Sequence, residues 1–130
     1  MMRLLLDTHI LLWAIDQPAR LDLATRDLLQ DPENEVMFSA ASIWEIAIKT
    51  GRGRPDFMIR PQTILQAAVR SGFEELPVDA RAAACVADLP PYHRDPFDRL
   101  LVAQAMEGPL RLLTADPALA RYSELVMLIR

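Results

Sequence analysis

The sequence predicts an α/β protein of three layers, helix–sheet–helix, with a central and mostly parallel sheet. Short apolar runs such as Leu4-Leu5-Leu6 and Leu112-Leu113 alternate with longer stretches of helical periodicity. Gly, Pro and Asx residues punctuate the junctions between them. Strands separated by helices pair in parallel through right-handed crossovers, which put helices on both faces of the sheet. At 130 residues the chain reads as one domain, 1–130, large enough for a proper core.

Residues 3–6 read as a short buried strand, followed by a helix over Ile10 to Ile15. Beyond Pro18, Leu21 to Gln30 forms a second helix with Leu21, Leu28 and Leu29 on one side. Asp31-Pro32-Glu33-Asn34 is a turn, and Glu35 to Phe38 a strand. Ser39 or Ser42 then caps a helix carrying Ile43, Trp44, Ile46, Ala47 and Ile48, which Gly51-Arg52-Gly53-Arg54-Pro55 ends. Pro61 opens a helix that stops near Gly72. Phe73 to Leu76 is a strand, and Asp79 caps the Ala-rich helix after it. Asp95-Pro96 opens a helix through Met106, stopped by Gly108-Pro109. Leu110 to Leu113 is a strand, Pro117 to Arg121 a short helix, and Leu125 to Ile129 the last strand.

The composition, 52% hydrophobic and 25% charged, is that of a globular chain and argues against disorder. The single cysteine, Cys85, lies in the run Ala82 to Ala87 and reads as a small packed side chain. Asp7 and His9 interrupt the apolar start, so it does not make a signal peptide. No apolar stretch approaches the roughly 20 residues that span a bilayer, so the expectation is a soluble cytoplasmic protein without membrane partners. Fourteen basic residues against 18 acidic ones give a net charge of −4, which does not advertise nucleic-acid binding. With four clustered acids neutralised, 14 basic residues face 14 acidic ones, and the placement of the basic residues matters more than the total.

Those four acids are Asp7, Glu45, Asp98 and Asp116. Asp7 and Asp116 fall just past strand ends, and Glu45 follows the strand ending at Phe38, so connectivity puts these three on one rim of the sheet. Asp98 lies beyond a longer loop, in the first turn of its helix. Each has a structural alternative. Ser42-Ile43-Trp44-Glu45 matches a capping box, Asp98 suits a helix dipole behind an Asp95 cap, and Asp116 suits a cap before Pro117. Asp7 alone has no evident structural task at the sequence level. Converging carboxylates repel one another, so a chain that gathers four of them calls for a divalent cation. With carboxylates and no Cys/His cluster, the ligand set suits a hard ion rather than zinc.

DTHILLWAID at 7–16, SAASIWEIAIKTGRG at 39–53, HRDPFDRLLVAQA at 93–105 and LLTAD at 112–116 resemble the PIN-domain family. Within it they resemble the VapC-type toxins of bacterial toxin–antitoxin pairs, in order and over nearly the whole chain. The resemblance implies a PIN-like fold and a metal-dependent endoribonuclease using Mg2+ or Mn2+. The family's acidic tetrad maps onto Asp7, Glu45, Asp98 and Asp116, and its neighbouring hydroxyl onto Thr114. Asp7, Asp98 and Asp116 are then the principal metal ligands. Glu45 is either a ligand or the group that orients water, and the site holds either one ion or two. The resemblance also implies an RNA substrate, a homodimer and a cognate antitoxin that inserts at or near the acids.

Other residues support or border that site. Thr8 is a candidate to orient Asp7, and Thr114 to hold water or merely end a strand. Lys49, Arg52, Arg54 and Arg60 form the densest basic stretch. They are a solvated surface or, with Arg99, contacts to RNA phosphates, although Lys49 also stands one turn after Glu45 as a natural ion-pair partner. Arg99 alternatively braces Asp98. His9 and His93 are not needed as bases, and His93 reads as a loop-bracing side chain. Trp13 and Trp44 read as core or interface residues, and the helices bearing Trp13 and Leu21 to Leu29 as candidate dimer or antitoxin surfaces. A haloacid-dehalogenase phosphatase wants a second acid where His9 stands, and a receiver domain wants paired acids after its first strand. A non-catalytic metal-binding interaction module is the alternative of a different class.

Overall fold

The computed structural model describes residues 1–51 and 59–129. In chain order the elements are β1 (Arg3–Leu6), α1 (Thr8–Asp16), α2 (Leu23–Gln30), β2 (Glu35–Ser39), α3 (Ala40–Gly51) and α4 (Pro61–Arg70). There follow β3 (Glu74–Leu76), α5 (Ala80–Cys85), α6 (Pro96–Glu107), β4 (Arg111–Thr114) and β5 (Val126–Leu128). Among the described residues the sheet runs β3-β2-β1-β4-β5, and every pairing is parallel. No helix there is long and apolar enough to cross a membrane.

The pleat explains why Leu4-Leu5-Leu6 is apolar throughout rather than alternating. Leu4, Leu6, Val36, Phe38 and Leu113 face one core with Ile10, Leu11, Ile46 and Ile64 from α1, α3 and α4. Leu5, Met37 and Leu112 face the other, against Leu101, Val102 and Ala105 of α6. A parallel sheet covered on both sides needs apolar residues at every position of its central strands. Each fully buried leucine contributes about 1.5–3 kcal/mol, so these strands are the main source of hydrophobic stabilisation.

From β1 the chain moves outward through β2 to β3, with α1 to α4 on the first face. It then returns under α5 and α6 to place β4 on the other side of β1. That reversal opens a crevice beyond the carboxyl ends of β1 and β4, where sites form in open α/β sheets. A backbone bond from Asp7 N–H to the Leu113 carbonyl, 3.0 Å, ties the two strand ends together. Asp7 and Asp116 therefore emerge side by side.

Several boundaries differ from the sequence reading, for local reasons. α1 begins at Thr8 because Asp7 caps it, Oδ1 accepting from the Ile10 N–H at 2.8 Å. Asp7 thus does have a structural task, contrary to the expectation. α2 begins at Leu23, because Asp22 rather than an earlier residue caps it through the Thr25 N–H. Ser39 caps the start of α3, accepting from the Ala41 N–H at 3.0 Å, so Ser42 and Glu45 make no capping box. The expected helix over Pro117 to Arg121 shrinks to a single 3-10 turn at Leu119–Arg121. α4 does stop near Gly72, at Arg70, and the Gly72 φ of +87° turns the chain so that Phe73 N–H reaches the Ala68 carbonyl. Cys85 packs half-buried against the second core, where desolvation, Glu107 and Asp88 raise its thiol above the ordinary range.

Candidate metal centre

The crevice holds the acids. Asp7, His9, Trp13, Asp98, Ala115 and Asp116 line a cavity of about 240 Å3 at the ends of β1 and β4. Asp7 is buried, at 4% exposure, and receives a hydrogen bond from the Thr114 side chain as well as from Ile10. Asp116 lies two residues beyond β4, its Oδ1 accepting from Ala118 N–H at 2.9 Å and its own N–H donating to Thr114 Oγ1 at 3.1 Å. Thr114 thus braces both acids, Asp7 through its side chain and Asp116 through its backbone.

Asp98 enters from the first turn of α6. The Asp95 carboxylate caps that helix, accepting from Phe97 N–H at 2.8 Å and Asp98 N–H at 3.3 Å. Pro96 supplies the preset first helical φ, so the short sequence Asp-Pro-Phe-Asp fixes where Asp98 starts. Glu45 is also buried, at 3% exposure, and belongs to the adjoining depression lined by Ile48, Lys49, Arg94, Asp95 and Phe97. Thr8 Oγ1 donates to its Oε1 at 2.6 Å and also meets the Ser42 hydroxyl at 2.9 Å, while Lys49 Nζ pairs with its Oε2 at 2.9 Å. The hydroxyl expected to orient Asp7 orients Glu45 instead.

Electrostatics show that these carboxylates crowd one another. Burial, then Asp95, Asp7 and Glu45, push Asp98 up to about 7, against a partial offset from His93. Burial chiefly, with a contribution from Glu45, also raises Asp7, although hydrogen bonds from Thr114 and Ile10 and the nearby His9 oppose it. Such a group of acids favours a bound cation.

One residue that sequence reading set aside belongs to the cluster. His93 Nε2 lies 2.8 Å from Asp116 Oδ2 and 3.6 Å from Asp98 Oδ2. One ligand-capable atom from each of His93, Asp98 and Asp116 falls within 4.8 Å of the others. Hard cations hold oxygens at about 2.0–2.6 Å, so donors on opposite sides of one ion lie about 4–5 Å apart. Asp98 and Asp116 are thus close enough to share a divalent ion, with His93 hydrogen-bonded beside them, while among the described residues Asp7 and Glu45 lie outside that tight group. The signal available in the sequence was a histidine two residues ahead of the Asp95 cap.

The flanking residues fall into place unevenly. The Arg99 guanidinium donates to the Val86, Leu89, Pro90 and His93 carbonyls and to Tyr122 Oη. It knits the loop before α6, and among the described residues it makes no hydrogen bond or ion pair to the four acids. Arg52 and Arg54 lie outside the described residues, and Arg60 is exposed at the start of α4. Trp13 is half-buried under the Arg20 guanidinium, 4.4 Å from its ring centre. Trp44 is not a core residue: it is 62% exposed and meets Phe97 edge-on at 5.3 Å.

Residues 4–125 match the PIN-domain family. The chain belongs to that family. It is 30% identical to Ribonuclease VapC22 of Mycobacterium tuberculosis over 123 residues, covering 94% of this chain and 93% of that protein. Among solved structures it resembles VapBC2 from Rickettsia felis bound to a promoter DNA fragment. There the TM-score is 0.72 at 17% identity, over 98% of this chain and 97% of that one. It also resembles FitAcB from Neisseria gonorrhoeae, with TM-score 0.58 and 21% identity over 95% of this chain and 96% of that one. PIN membership removes the dehalogenase and receiver readings, which belong to other folds.

Proposed function

We propose that this VapC-family ribonuclease toxin hydrolyses RNA phosphodiester bonds at the cluster of Asp7, Glu45, Asp98 and Asp116, with Mg2+ or Mn2+ as its ion. The observation that carries the reading is the meeting of buried Asp7 with partly buried Asp98 and Asp116 on the crevice at the β1/β4 reversal, where Asp7 and Glu45 both push the Asp98 carboxyl up. Asp7, Asp98 and Asp116 are the residues that would hold the cation. When bound, a divalent cation there supplies Lewis acidity toward the phosphodiester and promotes ionisation of water near neutral pH. Thr114 keeps Asp7 and Asp116 in register, and Asp95 keeps Asp98 at the mouth of its helix. Glu45, gripped by Thr8 and Lys49, is restrained at both oxygens. That geometry supports a fixed acceptor able to orient water better than a mobile ligand.

For partners, the reading is a cognate antitoxin, in keeping with the toxin–antitoxin assemblies among the structural relatives, acting on a homodimer of this chain. The α1–α2 face is the candidate protein-binding surface; it carries a depression of about 340 Å3 in which Leu21, Leu29 and Phe73 are interleaved with Arg26, Gln30 and Ser71. The test is RNA cleavage by the purified chain in Mg2+, Mn2+ or EDTA, with cut sites mapped in total RNA. Cleavage with either metal and none in EDTA is the expected result. Metal binding without cleavage would favour the non-catalytic interaction module.

A further inference from the structure

His93 is fixed at three points, and together they define its chemistry. The Asp95 backbone N–H donates to Nδ1 at 3.0 Å, the Tyr122 hydroxyl accepts from the His93 N–H at 3.0 Å, and Nε2 faces Asp116 Oδ2 at 2.8 Å. A backbone N–H can only donate, so Nδ1 must present its lone pair. A neutral imidazole with an unprotonated Nδ1 carries its proton on Nε2, where the neighbour is a carboxylate acceptor. Flipping the ring would put carbons against both the N–H and the carboxylate, so the hydrogen bonds also fix its orientation. An Nε2 that bears a proton has no free lone pair for a metal ion. To become a ligand, His93 would have to move its proton to Nδ1 and lose the Asp95 bond.

We propose that His93 is a positioning residue for an all-oxygen cation site: its Nε2–H holds the Asp116 carboxylate, and the imidazole does not itself bind the ion. The same ring links two acids on different elements, because the Asp95 that donates to Nδ1 also caps α6 and seats Asp98. Asp116 Oδ1 is held by Ala118 N–H while Oδ2 is held by His93, leaving lone pairs on both oxygens for a cation. The consequence is selectivity. An oxygen-only site keeps hard ions and gives zinc no imidazole to favour it. The inference rests on the reading that Asp98 and Asp116 hold a cation.

The test begins with the wild-type chain labelled with 15N-histidine, without metal and then with saturating Mg2+. Its two histidines are told apart with a His9→Gln variant. Long-range 1H–15N spectra should show His93 protonated at Nε2 in both states. An Nδ1-protonated ring in either state overturns the proposal, and this readout stands even if a His93 variant fails to fold. Calorimetric titration of Mn2+ into His93→Ala should show affinity about 10–100-fold weaker, as for other partners that orient a ligand. His93→Gln, whose amide N–H can still donate to Asp116, should recover part of it. Zn2+ affinity should fall by the same factor as Mn2+. Unchanged Mn2+ affinity in His93→Ala, or a loss confined to Zn2+, overturns the proposal. Wild-type protein that takes up no Mn2+ would overturn the cation site itself, and this proposal with it.

Discussion

Asp7 combines two tasks that substitution can separate. It caps α1 and, in the proposed function, binds the cation. Asn is as good an N-cap as Asp, whereas Ala costs about 1 kcal/mol there. Asp7→Asn should therefore abolish RNA cleavage at unchanged or slightly raised stability, and Asp7→Ala should lose both cleavage and stability. Full cleavage by Asp7→Asn with Mg2+ present would remove the proposed mechanism. Asp98 gives a second test, through pH. Its carboxyl is raised from 3.8 to about 7 in the folded chain, so the folded state holds that proton more tightly than the unfolded one. Metal-free protein should then lose stability as pH climbs from about 4 to about 7, by about 2 kcal/mol once partial exposure is allowed for. Asp98→Asn should flatten that slope in urea melts over the same range; an unchanged slope would contradict the crowding. At this scale the sequence pointed to four candidate acids but not to what holds them. Asp7 looked free of structural duty because a cap is invisible until the helix start is known. Adjacency makes Thr8 a candidate partner of Asp7, whereas the helix geometry turns its hydroxyl toward Glu45, 37 positions away.

At the scale of the element, α6 shows how a local signal becomes a site. Asp95 and Pro96 define its start, and Asp98 follows on the first turn, pointing into the crevice beside His93. Removing the cap with Asp95→Ala should cost about 1 kcal/mol and weaken Mn2+ binding, because the two N–H groups that seat Asp98 lose their acceptor. Asp95→Asn keeps an acceptor and removes a charge that crowds Asp98, so it should restore stability in the same urea melts. Equal losses for both variants would show that the charge rather than the cap is what matters. The elements themselves were largely legible, because capping residues, prolines and Gly72 are local signals. The capping box at Ser42 misled, since Ser39, three residues earlier, was an equally good cap at the end of a buried strand. Arg99 is the opposite case. Its acceptors are carbonyls from a loop and a 3-10 turn, and carbonyls leave no trace in sequence.

At the scale of the whole molecule, the reversal at β1 gathers acids that the chain keeps up to 109 positions apart, since Asp7 and Asp116 sit at the ends of adjacent strands. Alternating apolar runs and helices made that parallel order readable, and with it three of the four acids on one rim. What no pattern carried was the long loop before α6, so the approach of His93 and Asp98 to Asp116 emerged only in three dimensions. In the proposed function the same topology would make cation binding a global stabiliser. An ion shared by residues following β1, entering α6 and following β4 binds only the assembled sheet, and binding to the folded state alone stabilises by RT ln(1 + [L]/Kd). At a Mg2+ concentration of 100 Kd that is about 2.7 kcal/mol, a rise in melting temperature on the order of 10 °C for a chain of this size. Asp98→Asn removes one contributor, so its metal-free form should melt no lower than wild type at pH 8 while its Mg2+-induced rise shrinks to a few degrees. Differential scanning calorimetry in EDTA and in Mg2+ makes the comparison directly. Equal Mg2+-induced rises in both proteins would mean that Asp98 does not share the ion, and that the repulsion it suffers has another purpose.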